Sequence, residues 1–489
     1  LPEMLYARIL RPPAHSATLK SVDSSAAEKM PGVTVVKQDG LVAVLHADPE
    51  AAAKALEGIK AEFDLPKPAV DNETIFDHLV KAAPPAVERE RRGDLIEGEK
   101  TSTTLVEREY LNGYVAHSAL ETHTALAKVD GTKATLWIAT QTPFPNQQEV
   151  ARALGCPAEN VRIITPFVGG GFGGKSTGAL QAVEAAKLAK ITGKPVQVAW
   201  SRAEEFLYDN FRPAAVVRIK SGIDRVGRIR LWDYSVYLAG SRGSDQFYDV
   251  PHNRIRVYGE WMRDTARVHP FGVGPWRAPA ANTNTFARES QIDIMAAHSK
   301  IDPLEFRLNN TSDKRMRSVL QAAAERFGWK KAVSPSGSGF GIACGIDAGT
   351  YVAAIAEVRV DRASGRVQVR RVVCVQDMGM VINPDGATMQ MEGCVTMGLG
   401  YALSEEVRFK GGEILDRNFD TYELPRFSWL PEIETVLVKN DELAPQGGGE
   451  PVIILMGGLI ANAVFDATGS RLFRLPMTPE RVKQAIART

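Results

Sequence analysis

The chain has 489 residues, too many for one apolar core, so roughly two to four domains are expected. Its formal net charge of +1 leaves no electrostatic footprint for nucleic acid. Its 44% hydrophobic content is that of a globular protein, and no apolar run reads as long enough to span a membrane.

Four cysteines, Cys156, Cys344, Cys374 and Cys394, are too few and too scattered for a disulfide framework, a zinc site or an iron–sulfur cluster. They read as small buried apolar residues. Because the chain begins at Leu1, its native start is expected to be missing. In chain order, residues 4–10 are strand-like, and apolar runs at 33–36 and 41–45 are parted by Asp39-Gly40, a hairpin signal. Asp48 is placed to cap a helix, with Pro49 in its first turn and Ala52, Leu56 and Ile59 as its face. Residues 1–63 thus read as a small α/β unit. Residues 64–100 hold Pro66, Pro68, Pro84 and Pro85 and a charged run from Glu88 to Arg92, which predicts a solvated linker or surface wrap.

Strands resume at Thr101. A strand at 135–138 leads into a helix that Asn146 is expected to cap, with Glu149 three residues on and Gly155 as its stop. Alternating apolar positions across 213–262 predict long strands. Residues 284–298 and the run opened by Asp302-Pro303 predict helices. Residues 311–489 read as a further unit, beginning with a flexible Ser/Gly link at 334–339. Ala356, Val358 and Val360, then Val367 and Val369, alternate about a turn at Ser364-Gly365, which predicts a hairpin. A helix follows over 390–403, and Thr478-Pro479-Glu480 starts a last one. No internal repeat is present, and the fold class is α+β.

The stretch 161–190 organises the rest. A β-like run ends at Pro166, five glycines occupy six positions around Phe172, and a helix follows with Ala179, Ala182, Val183, Ala186 and Ala189 as its small apolar positions. Such a loop lets the backbone approach a ligand closely, and its N–H groups beside a helix N-terminus suit an anion. Three readings stand on the local sequence. Gly169, Gly174, Lys175 and Ser176 fit the phosphate loop of nucleotide hydrolases, which also wants a second strand ending in an Asp for magnesium. The others are a loop for a different anionic cofactor and a bare structural turn.

TQTP at 140–143, VGGGFGGK at 168–175, PWRAPAANTNTF at 275–286, GGGEP at 447–451 and ANAVFDATG at 461–469 occur in that order. In this ordered set the chain resembles the molybdopterin-binding large subunit of the xanthine oxidase/aldehyde oxidase family of molybdenum hydroxylases, over nearly its whole length. The resemblance displaces the phosphate-loop reading. It implies an α/β hammerhead domain at 1–63, a linker at 64–100, and two mixed α+β molybdopterin-binding domains at 101–310 and 311–489. It implies a molybdenum–pterin cofactor, as such or as a dinucleotide, against Gly170, Gly171, Phe172, Gly173 and Gly174, with Phe172 near the metal. Gln141 would hydrogen-bond an oxygen ligand of molybdenum. Arg277, with Ala278 after it, would stabilise substrate charge, and Glu450 would stand beside the metal as general base. The pterin's sulfurs hold the metal in such proteins, so no protein ligand to it is implied.

Members of this family hydroxylate an electron-poor carbon with oxygen from water. A carboxylate in hydrogen-bond reach suits the proton lost by the attacking hydroxyl, and a fixed cation suits charge growing on the substrate. Electrons are expected to pass to [2Fe–2S] clusters on a partner chain, and from there to a chain carrying FAD or a cytochrome. His117 and His123 match a family stretch and are expected to be satisfied in the core, and Lys175 to be structural. Two departures narrow the substrate. Purine-oxidising relatives carry a Glu directly after the lysine of the glycine motif, where this chain has Ser176. Carbon monoxide-oxidising relatives carry a Cys after the matched arginine, where this chain has Ala278. Aldehydes and aromatic N-heterocycles remain. A further pterin-binding segment of MGQG type is not found, since Met397-Gly398-Leu399-Gly400 belongs to another family stretch. That segment is expected before Leu1 or on another polypeptide that completes the site. A nucleotide hydrolase and a cofactor-free scaffold chain are the alternatives.

Overall fold

The computed structural model describes residues 1–38, 40–262, 268–330 and 336–489. Asp39 of the first hairpin turn and residues 334–335 of the Ser/Gly link lie outside the described residues.

The fold is mixed α+β, built on three large sheets. The first has seven strands and draws on both ends of the first 200 residues. In spatial order they are Val161–Ile164, Lys133–Ile138, Thr124–Asp130, Val196–Ala199, Leu5–Ile9, Leu41–His46 and Thr34–Gln38. Leu5–Ile9 joins the two portions, parallel to Val196–Ala199 and antiparallel to Leu41–His46. Ala182, Ala185, Ala186 and Ala189 let the helix Leu180–Thr192 lie close on this sheet. Val161–Ile164 is an edge strand, so the glycine loop leaves from the sheet's border.

The second sheet runs Arg474–Leu475, Thr104–Asn112, Ala215–Ile223, Ile229–Tyr237, His252–Tyr258 and Val87–Arg92. The third joins Ser338–Asp347, Thr350–Val360 and Val367–Asp377 antiparallel, with Glu432–Leu437 parallel to the last. The helix Ala281–Ser299 packs on the second sheet and the helix Met456–Thr468 on the third, and the two helices pack on each other. One continuous apolar core therefore runs from Tyr110 to Val482. The stretch Pro451–Thr468 is long and apolar enough to cross a membrane by length and composition, which the sequence reading did not single out, and 89% of it is buried inside the protein. A helix that is apolar all round belongs in such an interior.

Residues 64–100 are not a featureless linker. They form the helix Ile75–Ala82, which buries Ile75, Phe76 and Leu79, the strand Val87–Arg92 and the helix Leu95–Thr101. The charged run is an edge strand paired with His252–Tyr258, and charges are what keep such an edge from pairing further.

Close packing of the last core helix depends on two glycines in the strand Ser338–Asp347. A Cβ on Gly339 would stand 2.3 Å from the Ala467 nitrogen, and one on Gly341 would stand 2.1 Å from the Leu459 carbonyl oxygen. Gly341→Ala is expected to push that helix off the sheet and to cost about 1–3 kcal/mol in chemical denaturation.

Candidate functional site

The turn after Lys133–Ile138 clasps the glycine loop. Gln141 N–H donates to the Lys175 carbonyl at 2.9 Å, and the Thr142 hydroxyl donates to the Ser176 carbonyl at 3.2 Å. The Thr140 hydroxyl donates to Asn146 and to the Lys175 carbonyl. Asn146 is not the expected helix cap. Pro143 opens the helix Pro143–Leu154 three residues earlier, and Asn146 is buried within it, its amide donating to the Gly178 carbonyl at 3.2 Å. Gly155 does end that helix, at φ 66°.

In the loop, Gly170 and Gly173 adopt φ of 98° and 113°. A Cβ on Gly173 would stand 2.0 Å from the Pro275 carbonyl oxygen, and one on Gly171 would stand 2.5 Å from Gln141 Oε1. Gln141 Oε1 accepts from Gly173 N–H at 3.1 Å. The N–H groups of Gly170, Gly171 and Phe172 have no hydrogen-bond partner among the described residues. A short 3-10 turn, Gly174–Ser176, follows, and the helix starts only at Leu180, so no helix N-terminus adjoins the loop. Lys175 is buried and donates from Nζ to the Glu121 carbonyl and Oε2, both at 2.8 Å, while Glu121 Oε2 also accepts Gly169 N–H at 2.7 Å. The lysine is thus committed to the protein, which removes the group a phosphate loop needs.

His117 lies beneath the loop. Its Nε2 donates to the Pro275 carbonyl at 2.6 Å and its Nδ1 to Asp209 Oδ2 at 2.7 Å, so both nitrogens carry protons. Burial alone would lower the His117 pKa, but Asp209 and the Pro275 carbonyl outweigh it and the net shift is upward. Burial likewise opposes ionisation of Asp209, and the imidazolium outweighs it, so that pKa is depressed. His123 is satisfied by Glu205 at 3.0 Å and packs its ring against Trp200.

The second half of the site comes from the loop 447–450, and every residue of it is fastened. Gly447 N–H donates to the Ala348 carbonyl, and the Gly447 carbonyl accepts from the Thr350 hydroxyl at 2.6 Å. The Gly448 carbonyl accepts from Gln376 Nε2 at 3.4 Å. The Gly449 carbonyl accepts from Arg277 through Nε at 3.0 Å and through Nη2. Glu450 Oε2 accepts from Arg242 Nη2 at 2.7 Å. Arg277 also donates to the Gln390 side chain at 2.9 Å, and its N–H donates to the Phe172 carbonyl at 3.0 Å.

Gln141, Phe172, Gly173, Arg277 and Glu450 line one cavity of about 540 Å³, with Ser176, Met389 and Gln390. A cavity of the same volume beside Arg108, Phe465 and Arg488 gathers none of the expected residues. Gly170, Gly171, Gly174 and Ala278 do not line the site cavity. Gly171 packs against Gln141 and Gly174 against His117, and Ala278 is buried with φ 57°. Phe172 and Ala280, at 53° and 61°, share that left-handed backbone, so three non-glycine residues in sparsely populated conformations meet here. Sequence reasoning missed Arg242, Asp347, Glu121 and Gln390. The flanking of Arg242 by Gly240 and Gly243 was the one available signal.

The His117–Asp209 pair makes a pH-dependent contribution. The imidazolium contribution is full below the unfolded value of ~6.5 and is lost as pH rises through the higher folded value. The Asp209 contribution holds above ~3.9 and is lost as pH falls through its depressed folded value. Asp209→Asn is expected to destabilise by about 3–5 kcal/mol near pH 6 and by less as pH rises past the folded His117 value, which denaturation series across that range check.

Two family models, each described as a molybdopterin cofactor-binding domain, match residues 79–311 and 291–431. The chain is 28% identical to a subunit of the nicotinate dehydrogenase of Pseudomonas putida, over 99% of its own length and 44% of the relative's. It is 30% identical to the beta chain of the isoquinoline 1-oxidoreductase of Brevundimonas diminuta, over 98% and 65%. It is 22% identical to the aldehyde oxidoreductase molybdenum-binding subunit of Escherichia coli, over 98% and 93%. The chain thus spans between under half and about two thirds of the first two relatives. The solved structure of quinoline 2-oxidoreductase from Pseudomonas putida 86 has the same fold, with a TM-score of 0.85 over 100% of this chain and 95% of that one at 17% identity. The glycine loop and Arg277 fall in the first matched segment and Gln390 in the second, and the chain belongs to the molybdopterin cofactor-binding chains of the xanthine dehydrogenase/aldehyde oxidoreductase family.

Proposed function

We propose that this chain is the large subunit of a molybdenum hydroxylase that oxidises an aldehyde or an aromatic N-heterocycle with oxygen from water and passes the electrons to a [2Fe–2S] partner. The observation that carries the reading is the meeting of Gln141, Phe172, Gly173, Arg277 and Glu450 around one cavity, from four segments spread over three hundred residues of chain. The residues fit a pterin-held metal group. Three successive N–H groups, on Gly170, Gly171 and Phe172, are without partners among the described residues, as is the Nε2 of Gln141. These donors would hold an anionic group beside the cavity.

When bound, such a group supplies the two-electron acceptor and the oxygen delivered to the substrate. Glu450 takes up the proton at Oε1, the carboxylate oxygen that Arg242 leaves free. Arg277 holds the Gly449 carbonyl and so sets where that carboxylate stands. Its Nη1, whose nearest partner is the Met397 sulfur at 4.0 Å, is the nitrogen left for charge growing on the substrate. Phe172, Met389 and Pro279 offer apolar walls to a flat ring or a small aldehyde. The relatives support this range, being named for nicotinate, isoquinoline and aldehyde oxidation. All three are also named as subunits, which supports a partner chain. The hammerhead unit at 1–63 and the two cofactor-binding units at 101–310 and 311–489 remain part of this proposal.

Molybdenum analysis of the natively purified complex is expected to find the metal. Glu450→Gln is expected to retain it and to lose turnover by about 100- to 10,000-fold. A metal-free native complex would favour the scaffold reading, and full turnover in a molybdenum-loaded Glu450→Gln protein would remove Glu450 as the base.

A further inference from the structure

Glu450 is bonded to a cation that it shares with a second carboxylate. Arg242 places Nε and Nη2 on the two oxygens of Asp347, at 2.6 and 2.7 Å, and the same Nη2 on Glu450 Oε2 at 2.7 Å. Asp347 ends the strand Ser338–Asp347 and is buried, while Glu450 and Arg242 are each partly exposed. Such a two-pronged contact fixes the plane of the guanidinium as well as its position. Burial is the largest influence on Asp347 and raises its pKa, and the Arg242 N–H groups bonded to both its oxygens work against that rise.

The support beneath Arg242 is equally settled. The Gly240 and Arg242 carbonyls both accept from Asn284 Nδ2, at 3.1 and 2.9 Å, and the Gly243 carbonyl accepts from Arg288 Nη1 at 2.7 Å. Asn284 and Arg288 stand on the buried helix Ala281–Ser299. A Cβ on Gly243 would stand 2.8 Å from the Ala281 Cα, so this segment lies directly on that helix.

We infer that Arg242, oriented by Asp347, is the positioning residue for Glu450: it holds one carboxylate oxygen fast and leaves the other to the cavity. The inference rests on Glu450 being the base. Sharing matters as much as holding. A guanidinium paired with Glu450 alone would neutralise it and weaken it as a proton acceptor, whereas two carboxylates on one guanidinium keep a net negative charge for an incoming proton. Among the described residues, the other groups facing Glu450 are Arg277, reached through the Gly449 carbonyl, and Cys394 of the helix Pro384–Leu403, whose sulfur is 3.5 Å from the Glu450 carbonyl. Neither bonds the Glu450 carboxylate.

Two substitutions should therefore move the Glu450 titration in opposite directions. Arg242→Met removes the cation and raises the midpoint. Asp347→Asn removes the competing carboxylate, gives the whole guanidinium to Glu450 and lowers it. The full chain is titrated by infrared spectroscopy, with the Glu450 carboxylate band identified as the one lost in Glu450→Gln. The expected shifts are about one pH unit or more in each direction. In the molybdenum-loaded complex, Arg242→Met should lower kcat by about 10- to 100-fold with KM little changed, with partial rescue by Arg242→Lys. Asp347→Asn is nearly isosteric and keeps the test open if Arg242→Met does not fold. Shifts in the same direction, or none in either folded variant, would overturn the inference. If Glu450→Gln is inactive while neither midpoint moves, the base reading stands and the positioning role fails. If Glu450→Gln keeps its turnover, the base reading itself fails, whatever the midpoints do.

Discussion

Arg277 joins the parts of the site. Its peptide N–H closes on the Phe172 carbonyl of the glycine loop, and its guanidinium closes on the Gly449 carbonyl and on Gln390. Hydrogen bonds from a charged donor contribute about 1.5–3 kcal/mol each, enough to hold loops that carry little apolar surface of their own. The residue can do this because its backbone is held on both sides. Trp276 before it is fully buried, with Nε1 donating to the Ala116 carbonyl at 3.2 Å. Ala278 and Ala280 after it sit at positive φ, each at a cost of about 1–3 kcal/mol that only a well-packed surround sustains.

The packing that sustains it is that of two core helices. Ala281–Ser299 begins directly after this strained turn, and Pro451–Leu455 and Met456–Thr468 begin directly after Glu450. Those helices lie against each other, and their leading ends bring residues 277 and 449 within bonding distance. The glycine loop arrives separately, from the edge strand of the first sheet, and is fixed from behind by Glu121, Lys175 and the His117–Asp209 pair. Three independent supports therefore converge, and the cavity is what they leave between them.

How much of this the sequence disclosed follows from the kind of signal each part leaves. The ordered motifs, the alternating strands and the capped helices at Asp48 and Asp302 are local, and each was read correctly. Five residues of the cavity wall were named because their ordered motifs resemble those of one family, and only Phe172, Gly173 and Glu450 sit on glycine-rich turns whose backbone demands mark the sequence. Asp347 and Glu121 leave no such mark, and Arg242 leaves only the two glycines that flank it. Arg242 lies 105 residues from one partner and 208 from the other, and a paired charge in a loop has no period to detect. The errors have physical reasons too. Prolines and charges around residues 64–100 hid an amphipathic helix and an edge strand, and Pro143 claimed the helix start that Asn146 was expected to cap.

The charges at the cavity explain why these unmarked residues matter. Arg242 and Arg277 stand against Asp347 and Glu450, so the four formal charges balance. An anionic cofactor placed beside them tips that balance negative and disfavours a second anion on Glu450. A carboxylate that must stay ionised there needs either a bonded cation, shared or not, or donors that absorb the cofactor's charge. This chain holds both kinds of group: Arg242 bonded directly to Glu450, and the row of unpartnered N–H groups at Gly170, Gly171 and Phe172 on the opposite loop. On the proposed function, the glycine row and the Arg242–Asp347 pair are two halves of one electrostatic solution, although one is legible as a motif and the other only as a contact.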